Sequence, residues 1–260
     1  TGAPELIQEH GMHMGPANRQ ARREEFLRNY FQDQPVQVIA LPGDASFRKY
    51  YRIMGAEKSY MLMEDSPDRP PMPPFVMVEP FRDIARHLRR LGLNAPEIYA
   101  ENIDHGLLLL DDFGENTYTR LLNADNTPKP LYELAMDVLI HLHNHPDRND
   151  VNVPAYDVES YINETMLFID WYMPAVCGRT ISEDARRDWR DAWTEVLSHL
   201  PDDQQTLVLR DYHVDNLMLV DGQGGLDKCG LLDFQDALIG PFAYDVMSLL
   251  EDARRSMDET

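Results

Sequence analysis

Three polar residues in the last quarter of the 260-residue chain have types and spacing suited to phosphoryl transfer. They are Asp211, Asn216 five positions later, and Asp233 seventeen positions after that. Phosphoryl transfer asks little covalent chemistry of a protein. One carboxylate accepts the proton of the attacking hydroxyl, and an amide with a second carboxylate holds Mg²⁺ against the triphosphate. Asp211 fits the first role; Asn216 and Asp233 fit the second.

These residues can converge only if the chain between them folds back. Two short apolar runs, Leu207 to Leu209 and Leu217 to Val220, flank the polar loop, and a third, Gly230 to Leu232, leads into Asp233. A turn at Asp221 to Gly225 makes a hairpin of the second and third runs, so oxygen ligands from neighbouring strand ends can meet at one ion. A lone Asp-x₄-Asn would be ordinary turn chemistry. The ordered set within apolar frames is what separates the two readings.

R-D-x-x-x-x-N followed by L-D-F-Q-D-A resembles the active site of the aminoglycoside phosphotransferases and their choline-kinase-like relatives. That resemblance implies a protein-kinase-like two-lobed α/β (α+β) fold, with a small antiparallel-sheet N-lobe and a mainly helical C-lobe. It assigns Asp245, in A-Y-D-V, to buttress the catalytic loop. The family usually opens this loop with His; here Arg210 stands at the position, as in protein kinases, to orient Asp211 or neutralise charge.

The expected N-lobe spans residues 1–110. A helix from Arg19 to Phe31 presents Phe26, Leu27 and Tyr30 to a sheet, and residues 1–18 are expected to be loosely held. Val36 to Asp65 reads as a three-stranded meander broken at Pro42 to Ser46 and at Gly55 to Glu57. The small-residue tip Asp44-Ala45-Ser46 can lie over ATP phosphates, because its backbone N–H groups approach without obstruction. The third strand, Met61-Leu62-Met63-Glu64-Asp65, lacks the Lys that kinases carry there.

Cell-wall amino-sugar kinases of the same superfamily resemble this segment, with G/A-D-A-S-F-R-x-Y-x-R before and M-D/E-x-P after. The match lies at Asp44 to Arg48, Tyr50, Arg52 and Met63 to Pro67, and implies that the missing Lys is a subfamily feature. Arg48 or Arg52, which alternate to one strand face, is the expected source of phosphate charge. A Pro-rich linker, Pro67 to Pro74, precedes a helix from Pro80 to Leu91 stopped by Gly92. This helix occupies the place of the kinase regulatory helix, and without the strand Lys its Glu79 needs no ion pair. Strands near Glu97 to Ala100 and Gly106 to Leu110 complete the lobe.

Asp112-Phe113-Gly114 imitates the kinase metal motif but lies 99 residues before Asp211. It is read instead as the hinge, residues 111–114, where the backbone of Leu110, Asp111, Asp112 and Phe113 meets adenine.

The C-lobe, residues 115–260, reads as helical up to the catalytic hairpins. Leu131, Leu134, Ala135, Val138, Leu139 and Leu142 form an amphipathic stripe. His141 and His145 share a face at i, i+4 without the glutamate of HExxH, which argues against metal. Tyr156 to Cys177 contains a run similar to the E-x-x-L-F-x-D-W-Y of the amino-sugar kinases, implying acceptor contacts from Glu164, Asp170 and Trp171. Aromatic faces beside carboxylates suit sugar rings; Phe168, Trp171 and Tyr172 serve equally well as helix-packing residues. Ser182 caps a further helix bearing Trp189 and Trp193.

Family members continue with more helix beyond the region of Arg255, so a truncated or short member is expected, with tail residues that could belong to the acceptor site.

Composition narrows the partners. The chain is 43% hydrophobic and 27% charged, with 24 basic against 45 acidic residues and a net charge of −21, which disfavours nucleic acid and anionic membranes. The N-terminus lacks the pattern of a signal peptide, and no apolar run approaches membrane-spanning length. Cys177 and Cys229 lack a metal-ligand pattern and are expected to be reduced, in a cytoplasmic protein.

The sequence thus points to an ATP- and Mg²⁺-dependent kinase of a small-molecule sugar hydroxyl. By resemblance the acceptor is the anomeric hydroxyl of N-acetylmuramate or N-acetylglucosamine. The alternatives are an aminoglycoside or amino-alcohol phosphotransferase and, because of the missing Lys, a catalytically silent nucleotide-binding module.

Overall fold

The computed structural model describes residues 16–42, 48–65, 78–124, 127–199, 205–252 and 255. The hairpin tip Asp44-Ala45-Ser46 and the segment Pro67 to Pro74 lie outside the described residues. Chain contacts divide the protein into two units: residues 1–82 with 96–112, and residues 83–95 with 113–260.

The first unit is built on an antiparallel sheet of five strands. They are β1 (Gln37–Ala40), β2 (Lys49–Met54), β3 (Ser59–Glu64), β4 (Ile98–Asn102) and β5 (Leu107–Asp111), in the order β1-β2-β3-β5-β4. Alternation places Tyr51, Ile53, Leu62, Leu107 and Leu109 in one buried cluster with Leu27 of helix α1 (Pro16–Phe31). Phe26, Tyr30 and Phe31 of α1 extend the same contact. The expected meander and its packing helix are both present. An ion pair from Arg23 to Glu64, 2.8 Å, ties α1 to β3. Between β4 and β5 the chain turns through Gly106 at φ +65°, where a Cβ would collide with the Asp65 carbonyl oxygen. Only glycine permits both that φ and that approach.

Helix α2 (Val78–Arg90) is shared between the units, the division falling after Arg82. Pro80 sits in its first turn, where a missing N–H costs nothing. Gly92, at φ +79°, follows its end.

The second unit holds the remaining helices: α3 (Tyr118–Asn123), α4 (Pro128–Asn144), α5 (Val158–Leu167), α6 (Met173–Cys177), α7 (Glu183–Leu197) and α8 (Ala243–Leu250). Five residues of the predicted α4 stripe, Leu131, Ala135, Val138, Leu139 and Leu142, are buried. The Nε2 of His141 lies 2.7 Å from the carbonyl of Leu91 and so satisfies the end of α2. Between α5 and α6 the chain winds into a π-helical segment, Phe168–Tyr172. Ser182 caps α7 by accepting the N–H of Ala185.

Two short antiparallel pairs complete the second unit: β6 (Gln205–Val208) with β9 (Leu238–Pro241), and β7 (Leu217–Leu219) with β8 (Cys229–Leu231). The hairpin expected around Asp221 to Gly225 is the β7–β8 pair. Strand β9 had no counterpart in the sequence reading. Leu238-Ile239-Gly240-Pro241 is too short for a periodic signal, and pairing with β6 decides it. Cys177 is exposed and Cys229 buried, both free. Among the described residues no helix is long and apolar enough to cross a membrane.

Candidate active site

The loop from Leu209 to Asn216 is held by α8. Asp245, fully buried, accepts the backbone N–H of Leu209 at 2.8 Å and that of Arg210 at 2.9 Å. Ser248, one turn further along α8, donates its hydroxyl to the carbonyl of Arg210 at 2.9 Å. Arg210 is thereby fixed on both sides of its peptide at φ +67°, a conformation that a side chain adopts only when its surroundings impose it. Tyr212 anchors the next turn by donating to the carbonyl of Ala135 in α4, 2.8 Å. Thr119 of α3 donates to Asp215 on the far side of the loop.

From this frame Asp211, Asn216 and Asp233 come together as the spacing predicts. The amide Nδ2 of Asn216 donates to the Asp211 carbonyl at 3.0 Å and reaches the Asp233 carboxylate at 3.5 Å. The Leu232 N–H donates to the Asn216 carbonyl at 3.0 Å, which ties the end of the β7–β8 hairpin to the loop. Asp233 itself lies at φ +57° and accepts from the Gln235 amide at 2.9 Å.

Electrostatics fit a base beside a cation site. Desolvation by the surrounding loop raises the Asp211 pKa above the ordinary aspartate value, and the Asp233 carboxylate raises it further. Burial pushes Asp245 up to about 7, against the pull of its two backbone N–H donors. Among the described residues no three His, Cys, Asp or Glu side chains form a metal cluster. Mg²⁺ beside a nucleotide does not need one, because one or two protein oxygens suffice when phosphates and water supply the rest. The amide of Asn216 beside the carboxylate of Asp233 is a hard-oxygen donor pair of that kind.

Arg210 and Glu164 also meet. The Arg210 guanidinium donates to Glu164 on α5, the Tyr156 hydroxyl donates to the other Glu164 oxygen, and the guanidinium lies 5.6 Å from the Tyr156 ring centroid. Tyr156 in turn stacks on Tyr161, centroids 3.9 Å apart.

The other two acceptor candidates lie on the π-helical segment. Asp170 pairs with Arg186 of α7 at 2.5 Å, and Trp171 is 72% exposed. Phe168 stacks on both Tyr172 and Trp189, so Phe168 and Tyr172, two of the three aromatics left open by the sequence, have ring partners of their own.

The nucleotide candidates of the first unit have protein partners. Arg52 grips Asp112 with two contacts, 2.7 and 3.2 Å, and Arg48 lies 3.6 Å from Asp65. Leu110 is buried in β5, paired with Met61. The Asp111 carboxylate accepts from Tyr99 at 2.5 Å and faces Lys58 at 3.5 Å, while its N–H donates to the Glu97 carbonyl at 3.0 Å. That N–H is therefore not available to adenine. Phe113, in the second unit, packs its ring so closely on Gly230 that a Cβ there would come within 2.6 Å.

Tyr156, Ser248 and Gln235 had no role in the sequence reading. Gln235 stood within the quoted L-D-F-Q-D-A; Tyr156 and Ser248 act through contacts 8 and 38 positions away in sequence, which no local pattern signals.

Residues 37–260 match the family described as "Phosphotransferase enzyme family". Over 227 residues the chain is 35% identical to the N-acetylmuramate/N-acetylglucosamine kinase of Pseudomonas aeruginosa, covering 86% of this chain and 62% of that protein. Over 270 residues it is 30% identical to the protein of that name from Caulobacter vibrioides, covering 93% and 74%. It spans 62% and 60% of the lengths of its Pseudomonas aeruginosa and Pseudomonas putida relatives. Among solved structures, choline kinase LicA from Streptococcus pneumoniae superposes with TM-score 0.63 at 14% identity, over 90% of this chain and 76% of the other. ADP-bound aminoglycoside phosphotransferase APH(2'')-Ib gives 0.62 at 17%, over 89% and 75%. These likenesses establish the protein-kinase-like fold.

Proposed function

We propose, from the premise that this chain belongs to the phosphotransferase enzyme family, that it transfers the γ-phosphoryl group of ATP to the anomeric hydroxyl of N-acetylmuramate or N-acetylglucosamine. The observation that carries the transfer chemistry is the meeting of Asp211, Asn216 and Asp233 on a loop pinned by buried Asp245. The acceptor rests on four relatives of that name, 30% to 35% identical.

Asp211 orients the acceptor hydroxyl and takes its proton as the oxygen attacks phosphorus. Its raised proton affinity suits a base that must hold this proton through the transition state. Asn216 and Asp233 would hold Mg²⁺, which when bound offsets charge on the phosphates. Gln235 orients the Asp233 carboxylate, and Asp245 keeps Asp211 in place through the neighbouring peptides.

Toward the nucleotide, Asp44, Ala45 and Ser46 would cover the phosphates, with charge from Arg48 and Arg52. Adenine would meet the backbone of the hinge, residues 111–114, other than the Asp111 N–H, which is used within the sheet. Toward the acceptor, Glu164 is the candidate best connected to the catalytic loop; Asp170 and Trp171 would shape the remoter wall. The protein would act in the cytoplasm on small molecules, without nucleic acid or membrane.

The deciding experiment is Mg²⁺-dependent ATP consumption with N-acetylmuramate, N-acetylglucosamine, kanamycin and choline, with products identified by phosphorus NMR. A sugar 1-phosphate is the expected product. Kanamycin or choline turnover in its place would assign the chain to another branch of the family, and ATP binding without turnover would mark a silent module.

A further inference from the structure

Arg210 stands next to Asp211 with its donors only partly used. Its guanidinium donates to one oxygen of Glu164 and also meets the Tyr244 hydroxyl, while its Nε is buried with no hydrogen-bond partner among the described residues. A guanidinium carries five donors in a planar fork that matches a carboxylate. Both members of the pair are partly open, with side chains 29% and 35% exposed, so a ligand group can reach them.

The two acceptors named for the relatives differ in one respect. N-acetylmuramate is N-acetylglucosamine bearing a lactyl ether at O3, and so carries a carboxylate that the parent sugar lacks. On a chain of net charge −21, a local cation would favour binding of such an anion. The ether oxygen and the anomeric hydroxyl sit on ring carbons separated by one other. A cation on the residue adjoining the base is therefore well placed to meet the carboxylate.

Resting on the amino-sugar reading above, we infer that the Arg210–Glu164 pair reads the charge of the acceptor. Arg210 takes the carboxylate of the acidic sugar, and Glu164 fills that role when the acceptor is neutral. Removing one partner from a partly buried ion pair leaves the other charge uncompensated, whereas exchanging one carboxylate for another keeps the guanidinium compensated. The surroundings suit such an exchange. Tyr156 holds the other oxygen of Glu164, so Glu164 keeps a partner when the guanidinium turns away. Asp245 and Ser248 fix the Arg210 peptide, so movement of its side chain leaves Asp211 in position. The pair accounts for one site accepting both a charged and a neutral sugar.

The test compares kcat/KM for N-acetylmuramate, its neutral methyl ester and N-acetylglucosamine in the wild type, Arg210→Gln, Arg210→Lys and Glu164→Gln. Arg210→Gln is expected to lower the ratio of muramate to its ester on the order of tenfold, with partial rescue in Arg210→Lys. Glu164→Gln, which frees the guanidinium, is expected to raise that ratio. If Arg210→Gln is inactive on all three, calorimetric binding of muramate and ester to the folded variant reads the same ratio. Turnover of the sugars with ratios unchanged in Arg210→Gln and Glu164→Gln overturns the inference and leaves the amino-sugar assignment standing. Turnover of neither sugar by the wild-type protein overturns both.

Discussion

Asp245 accepts the backbone N–H of Arg210 at 2.9 Å from within a fully buried position on α8. The same carboxylate takes the N–H of Leu209, so two consecutive peptides ahead of Asp211 share one buried acceptor. Neither β6 nor β7 reaches these peptides, and without Asp245 the two N–H groups would be buried and unpaired.

Replacing Asp245 by Asn sets an amide N–H₂ against one of those donors. The expected loss is about 1–3 kcal/mol of stability, with lowered turnover as the loop loosens. The pH dependence is distinctive. In the fold Asp245 keeps its proton up to about pH 7, against an ordinary value of 3.8, so folding takes up a proton between those limits. Its contribution to stability is fully present below the lower value and is lost as pH rises through the upper one. Urea unfolding from pH 4 to 8 should show that decline in the wild type and a flatter profile in Asp245→Asn. Equal slopes would remove Asp245 from the linkage.

Asp211→Asn should reduce turnover by about 10²- to 10⁴-fold while keeping the geometry of the loop, in which Asp211 bonds to Leu209, His213 and Asn216 through its backbone atoms. ATP affinity should change little, since the proton acceptor is needed only as the acceptor oxygen attacks. Pre-steady-state turnover paired with nucleotide titration separates the two quantities. An active variant would exclude Asp211 as the base.

The legible part of this protein is where chemistry and pattern coincide. The spacing from Asp211 to Asn216 and the apolar runs beside it fix both the residue types and the hairpin that joins them, so β7 and β8 appear where expected. Helix α4 follows from its stripe. What escaped the sequence depends on distant pairing: β9 exists because β6 needs a partner, and Tyr156 enters only by reaching Glu164. Arg48 and Arg52 show the same limit from the other direction. Strand alternation puts them on one face, but nothing local announces that Asp65 and Asp112 are waiting there.

Asp233→Asn tests the cation site. The substitution keeps a carbonyl oxygen and the side-chain shape but removes the charge beside Asn216. The concentration of Mg²⁺ giving half-maximal turnover is expected to rise by about tenfold or more, because hard cations prefer anionic oxygen. Asn216→Ala should move the same quantity in the same direction. A magnesium titration of initial rates decides it; an unchanged midpoint in both variants would place the metal elsewhere.

Arg52→Ala distinguishes structure from nucleotide binding in the first unit. Arg52 meets Asp112 at 2.7 and 3.2 Å, and the Asp112 side chain is 3% exposed, so Arg52→Ala removes a cation from beside a buried carboxylate. Losses on breaking such a pair run to about 3–5 kcal/mol. Arg52→Ala should therefore melt at lower temperature, and the double variant Arg52→Ala, Asp112→Ala should recover part of the loss. A phosphate role adds a separate effect, a raised KM for ATP that the double variant does not recover. Arg48→Ala, whose partner Asp65 is equally buried, serves as the parallel case. If KM for ATP is unchanged in both single variants while stability falls, the two arginines are struts of the sheet, and the phosphate charge comes from another group.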